Sequence, residues 1–237
     1  MQNIIGTHQL VVKYPQRTVV DHLDLAVAAG CVYALLGGNG AGKTTTLNAL
    51  LGFVAADAGE VLIEGVSLVQ DPKGARKLAY LPENVALYPY MSGVENLRYF
   101  CALAGIDLPT PAARALLNDS GLPPRAWDAR VATYSKGMRQ KVGLSIAYAR
   151  QTKGMLLDEP TSGLDPSAAN DFAQRIRAAG NAGMAVLMAT HDLFNAKQVA
   201  DRIGIMKEGR IVAEIDAHRI GHQELEDLYL AHARGLA

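Results

Sequence analysis

Residues 7–14 (THQLVVKY) and 18–27 (TVVDHLDLAV) partly alternate apolar and polar positions and are rich in Val and Leu, with YPQR between them. This pattern predicts short strands joined by a turn. CVYALLG, residues 31–37, is instead an unbroken apolar run ending in Gly, which suits a strand buried on both faces, as in a parallel sheet. GGNGAGKTTTLNALLG follows, a Gly-rich loop that runs into a helix. EVLIEG and LAYLP read as further strands. From about residue 91 the periodicity turns helical. Ser92 and Glu95 form a capping-box pair at one helix start. Thr110-Pro111 opens a second helix with Pro at its first position. LPPRAW breaks the chain, and Ser135 stands where a third helix begins. GMLLDEP is a strand running into a loop, DPSAANDFAQRIRAAG a helix, MAVLMAT a strand, and GHQELEDLYLAHARGLA one amphipathic terminal helix.

Strand and helix thus alternate at both ends of the chain around a helix-only insert, which predicts an α/β fold: a parallel-sheet core interrupted by a helical subdomain. The expected organisation is a single domain over 1–237. Residues 1–90 and 151–215 form its α/β core, 91–150 the helical subdomain and 216–237 a helical tail. No internal repeat, low-complexity segment or long charge run breaks this pattern.

Composition narrows the function classes. The chain has 237 residues, 49% of them apolar, enough to bury a core and to exclude wholesale disorder. Lys plus Arg and Asp plus Glu are both 23, so the net charge is zero and a strongly basic nucleic-acid binder is disfavoured. Two distant cysteines, Cys31 and Cys101, lie in apolar surroundings and are expected to be reduced core thiols. No apolar run reaches the roughly 18–20 residues of a membrane span. The opening MQNIIGTHQL lacks a basic stretch followed by a long apolar one, so a signal peptide is not expected and the chain is expected to be cytoplasmic.

The strongest chemical signal is Gly37-Gly38-Asn39-Gly40-Ala41-Gly42-Lys43-Thr44, continued by Thr45. It fits G-x-x-x-x-G-K-[ST], whose glycines let backbone N–H groups turn inward around phosphate oxygens. The following helix offers its positive end. Lys43 supplies a cation for the β- and γ-phosphates, and the Thr44 hydroxyl can ligate Mg²⁺. In GMLLDEP, a buried strand ends in two adjacent carboxylates. Asp158 can hold Mg²⁺ through water, and Glu159 can orient or deprotonate an attacking water. In Tyr134-Ser135-Lys136-Gly137-Met138-Arg139-Gln140, Ser135 reads as a helix cap. Gly137 is costly so near a helix start and is better explained by close approach of a phosphate.

Together these motifs resemble an ABC-transporter ATPase subunit over nearly the whole chain: the phosphate loop, YSKGMRQ, LLDEPTSGLDP and ATHD occur in that family's order. The resemblance implies a P-loop NTPase (RecA-like) parallel-sheet core with N-terminal antiparallel strands and an inserted α-helical subdomain. It implies ATP hydrolysis with ATP and Mg²⁺ as cofactors. YSKGMRQ corresponds to the family's LSGGQ signature. Ser135 and Gly137 match its Ser and second Gly, while Tyr134, Lys136 and Met138 depart from it. Asp158 and Glu159 match the Mg²⁺ carboxylate and the catalytic glutamate, Ser162-Gly163-Leu164-Asp165 the D-loop, and His191 the switch histidine at the γ-phosphate. Tyr14 stands where the family stacks an aromatic ring on adenine.

One further departure concerns the loop that normally carries Gln. It reads Leu81-Pro82-Glu83-Asn84, and Glu83 cannot donate an amide hydrogen bond, although it can hold Mg²⁺ or water. YLPENVALYPYMSGVENLRYF resembles ATPases paired with ABC-2-type permeases, a group that includes the ATPase of nitrous-oxide-reductase maturation. The implied partners are an ABC-2-type transmembrane permease and a second ATPase, as homodimer or heterodimer, with no direct nucleic acid. The implied location is the inner face of the membrane, held through the permease, and export is favoured over import. The competing reading, a soluble ABC ATPase acting on nucleic acid or ribosomes, would bring a second cassette or a long coiled-coil insert, and the sequence contains neither. The loop Leu87–Met91 is expected to be an apolar docking surface, whereas Tyr99 and Phe100 are expected in the core.

Overall fold

The computed structural model describes residues 2–15 and 17–234. Two long strands, β1 (Asn3–Tyr14) and β2 (Arg17–Ala28), pair antiparallel, and β4 (Ala58–Ile63) and β5 (Val66–Ser67) extend them to a four-stranded sheet in the order β2-β1-β4-β5. Between them in the chain lie β3 (Val32–Leu36) and helix α1 (Lys43–Leu50), which belong to the core.

Strands β6 (Leu78–Leu81), β7 (Gly154–Asp158), β8 (Ala185–Thr190), β9 (Arg202–Lys207) and β10 (Arg210–Asp216) join β3 in a six-stranded sheet of order β10-β9-β3-β8-β7-β6. All neighbours are parallel except the edge pair β9–β10. Strands β3, β7 and β8 are buried at every position, which is why they read as unbroken apolar runs. The register aligns Leu36 with Thr190, Ala189 with Asp158, and Leu157 with Leu81. The C-terminal ends of β3, β8, β7 and β6 therefore share one edge of the sheet, where α/β sheets carry their ligands.

The helices are α2 (Gly93–Leu103), α3 (Thr110–Asp119), α4 (Lys136–Ala149), α5 (Pro166–Asn181), α6 (Leu193–Val199) and α7 (His222–Arg234). The Ser92–Glu95 capping box forms with both of its bonds. Helix α3 begins one residue earlier than Pro111 at its first position would require, with Pro109 as its cap. Tail residues 235–237 lie outside the described residues.

Apolar side chains gather in three clusters. One joins the antiparallel sheet to the parallel one through Ile5, Leu23, Tyr33 and Leu156. A second lies between the parallel sheet and its helices, around Leu36, Phe172, Ile176 and Ile203. The third, around Val94, Leu97, Leu117 and Tyr134, belongs to the helical insert. Helix α4 serves both of the last two, Val142 in one and Leu144 in the other.

Two expectations need correction. Cys101 is buried but Cys31, at the mouth of β3, is only half-buried, because the residue before a buried strand is still emerging from the turn. Tyr99 is exposed rather than in the core, since Leu97 and Cys101 occupy the inward face of α2. It lies in a surface aromatic cluster, with its ring 4.9 Å from Tyr88 and 5.5 Å from the half-buried Phe100.

Candidate functional site

The loop after β3 has two positions, Gly37 and Gly42, that a side chain could not occupy. A Cβ at Gly37 would lie 2.5 Å from the Met206 carbonyl oxygen, so β9 closes against the loop. Gly42 caps α1 with φ of +111°, outside the range of L side chains. Folded this way, the loop leads directly into the N-terminus of α1, whose unpaired N–H groups favour an anion.

Lys43 is almost fully buried. Its Nζ donates to the Gly37 carbonyl at 2.7 Å and lies 3.4 Å from Glu159 Oε1. A buried ammonium needs such partners, and here the loop's own carbonyls hold it in place. Thr44 Oγ1 donates to Asp158 Oδ1 at 3.3 Å. Burial pushes the Asp158 carboxyl above its ordinary range; the Thr44 bond and Lys43 oppose this, and the nearby Glu159 and Glu83 add to it. The Glu159 backbone has φ of +44°, an uncommon state for a non-glycine residue, and its N–H donates to the Ala189 carbonyl at 2.9 Å. His191 Nδ1 lies 2.8 Å from Glu159 Oε2, and the His191 backbone N–H donates to the same oxygen at 3.3 Å. Strand β8, inserted between β3 and β7, is what delivers the histidine to the carboxylate.

Lys43, Thr44, Asp158 and Glu159 border a cavity of about 240 Å³ that is also lined by Arg17, Val19, the rest of Gly38 to Thr45, and Glu83; His191 and Gly37 do not line it. Sequence reasoning found most of this lining. It missed Arg17 and Val19 on β2, which belong to no motif; Arg17 pairs with Tyr14 across the hairpin. Tyr14 itself is 45% exposed and does not line the cavity. Ser135 and Gly137 do not line it either. Ser135 Oγ caps α4 by accepting from Met138 N–H at 3.3 Å. At Gly137 a Cβ would make only ordinary contacts, 3.6 Å to Leu164 and Ala168, so packing within the chain gives no reason for glycine there.

A second cavity of about 230 Å³ adjoins the outer side of the loop, between Gly38–Ala41, Ile205–Glu208, Tyr229 and His232. Lys207 Nζ holds α7 over it by donating to the His232 carbonyl at 2.7 Å. A larger cavity, about 670 Å³ among α3, α4 and α5, is lined by none of the residues named for phosphate chemistry.

Among the described residues, no group of three or more His, Cys, Asp and Glu side chains could by itself hold a metal, and no helix is long and apolar enough to cross a membrane. The hard oxygens of Thr44 and Asp158 do fit a cation that takes its other ligands from phosphate and water, as Mg²⁺ does.

The family model described as "ABC transporter" matches residues 20–162. The lantibiotic transport ATP-binding protein SrtF of Streptococcus pyogenes is 33% identical over 91% of this chain and 91% of its own length. The daunorubicin/doxorubicin resistance ATP-binding protein DrrA of Streptomyces peucetius is 36% identical over 89% of this chain, which spans 64% of that longer protein. A solved structure of an ATP-binding subunit of an ABC transporter superposes with a TM-score of 0.79 at 29% identity, covering 96% of this chain and 98% of the other.

Proposed function

The chain belongs to the ABC transporter family as an ATP-binding, ATP-hydrolysing subunit, and from that premise we propose that it powers an exporter of the ABC-2 type through a separate permease. The relatives that support export are named for drug resistance and lantibiotic transport. The observation that carries the site assignment is the alignment of the loop at Gly37–Thr44, the Asp158–Glu159 pair and His191 on adjacent parallel strand ends.

In this reading Lys43 and the loop's N–H groups bind the β- and γ-phosphates. Glu159, held by His191, orients the attacking water and takes its proton. Mg²⁺, held by Thr44 and Asp158 with Glu83 nearby, neutralises phosphate charge when bound. Tyr14, at the hairpin end beside Arg17, offers its exposed ring to the adenine.

Ser135 and Gly137 stand apart from their own chain's cavity, so the site is incomplete without a second chain. Two chains meet head to tail, each presenting the Ser135 end of α4 to the other's nucleotide, and closure expels water from the site. The helical segment 91–150 acts as the unit that carries this end. The loop around Tyr88 and Tyr90, 47% and 83% exposed, is the docking surface for a short permease helix on the inner face of the membrane.

The test is the dependence of ATP hydrolysis on protein concentration. A site shared between chains gives turnover that rises faster than linearly. Specific activity independent of concentration, in a chain that stays monomeric with ATP, would reject the shared site.

A further inference from the structure

Three segments far apart in sequence meet at one carboxylate oxygen. Glu83 Oε1 accepts a hydrogen bond from Ser162 Oγ at 3.1 Å and lies 3.6 Å from Lys136 Nζ. The main chain of the same loop is held as well, since Gln140 Nε2 donates to the Glu83 carbonyl at 2.8 Å. Lys136 and Gln140 lie on the first turns of α4, and Ser162 lies in the turn that leads into α5. The Lys136 side chain runs along that turn, as a Cβ at Gly163 would lie 3.6 Å from its Nζ.

Glu83 also borders the phosphate cavity, together with Asp158, Glu159 and Lys43. The cavity therefore has three carboxylates around one buried ammonium. An ungoverned Glu83 would be driven away from Asp158 and Glu159 by like charge. Lys136 is the cation that faces Glu83 from outside the cavity. The pair is too exposed, 30% for Lys136 and 43% for Glu83, to contribute much to stability. Its effect is on where the carboxylate points.

We propose that Lys136 is a positioning residue for Glu83: with the Ser162 hydroxyl, its ammonium fixes one carboxylate oxygen and so sets the orientation of the other toward the phosphate cavity. The cavity's polar lining is then complete only while the first turn of α4 is docked on the loop after β6. This rests on the reading of residues 37–44 as the phosphate site. The two positions act as a unit, so Glu83 without Lys136 is worse for turnover than neither charge.

The experiment is a double-mutant cycle with Lys136→Met and Glu83→Gln, plus Lys136→Arg, on the purified chain. Turnover, KM for ATP and affinity for a fluorescent ATP analogue are read in each. Lys136→Met is expected to lower kcat about tenfold, as a small misplacement of a site group does, with KM and analogue affinity within about twofold. In the Glu83→Gln background the same change should cost nothing further, and Lys136→Arg should keep most of the turnover. Equal loss from Lys136→Met in both backgrounds, or no rescue by Arg, would overturn the proposal. If the unsubstituted chain fails to bind the analogue, the phosphate-site reading fails instead. The reactivity of the Lys136 amine toward an acylating reagent in the nucleotide-free chain, read by peptide mass spectrometry, then decides the pairing: no rise in reactivity with Glu83→Gln overturns it.

Discussion

Asp158 carries a cost that the metal-binding role proposed for it accounts for. Its folded-state carboxyl titrates above its ordinary range because it is buried beside other carboxylates. The ionised form is thus disfavoured in the fold. Stability is greatest below the unfolded-state value and falls as pH rises through the folded one. At neutral pH the penalty is present in full. Asp158→Asn keeps an acceptor for Thr44 and removes the charge. It should raise the thermal midpoint of the nucleotide-free chain at pH 7 by about 2–4 °C, the shift that ~1 kcal/mol produces in a domain of this size. The gain should shrink as pH falls through the folded-state value toward the unfolded-state one, and calorimetry across that range checks it. Glu159→Gln should keep ATP binding yet lower turnover about 100-fold or more, the scale of a lost general base. Its amide also removes a negative charge beside the incoming phosphate, so the nucleotide-bound dimer should persist in gel filtration. Near-normal turnover would remove Glu159 from its role.

At the scale of elements, α4 is the hub. Its N-terminus carries Ser135 and the link to Glu83, while its body is tied to α5 and to the end of α3. Asp171 on α5 receives Lys141 at 2.6 Å and Arg175 at 3.0 Å, and Lys141 Nζ also donates to the Gly121 carbonyl at 3.1 Å. Helix α4 is thus tied to α5, whose own cap, Asp165, ends the turn that holds Ser162. Ser135→Arg separates capping from phosphate contact. Loss of the cap costs about 1 kcal/mol, well inside a typical domain's stability, so the variant should fold with an unchanged circular-dichroism spectrum. Its ATP turnover should nevertheless fall to background. A folded variant with normal turnover would leave Ser135 a cap alone.

The same scale shows what the sequence made legible. Strands β3, β7 and β8 were readable because burial on both faces leaves no polar position to blur the pattern. Strands β9 and β10 went unread although Glu208 and Gly209 between them both have positive φ, the signature of a tight hairpin turn. Glu is an unusual residue there, so no conventional turn signal marks the hairpin. The Gly37–Thr44 loop and the Asp158–Glu159 pair, which the fold brings to one cavity, stand out in the sequence because the chemistry proposed for them needs fixed residue types at fixed spacing. Arg17 was not, because its place in the cavity depends on how the hairpin of one sheet folds over the loop of another. Tyr99 was misplaced because an aromatic side chain on a capped helix reads alike whether it faces the core or a neighbouring ring.

For the whole molecule, the exposed aromatic cluster matters most. The loop that carries Tyr88 is pinned rather than loose: Tyr88 N–H donates to Asn96 Oδ1 at 2.8 Å, and Asn96 Nδ2 donates back to the Tyr88 carbonyl at 3.1 Å. The backbone is satisfied while the rings stay outside, which suits a preformed docking surface. Tyr88→Asp or Tyr90→Asp should lower co-purification with the permease several-fold and leave the isolated chain's nucleotide affinity unchanged. Undiminished association in both variants would move the interface elsewhere.

The position of β8 between β3 and β7 has a consequence for how the protein is made. During vectorial synthesis the phosphate loop leaves the ribosome early and the Asp158–Glu159 strand much later, yet β7 has no edge of β3 to pair with. In the folded sheet the slot between them is filled by residues 185–190. Non-local parallel pairing of this kind forms late. A nascent chain halted before β8 therefore carries Lys43 and the Asp158–Glu159 pair with no strand to align them, and β9, which closes against the loop at Gly37, emerges later still.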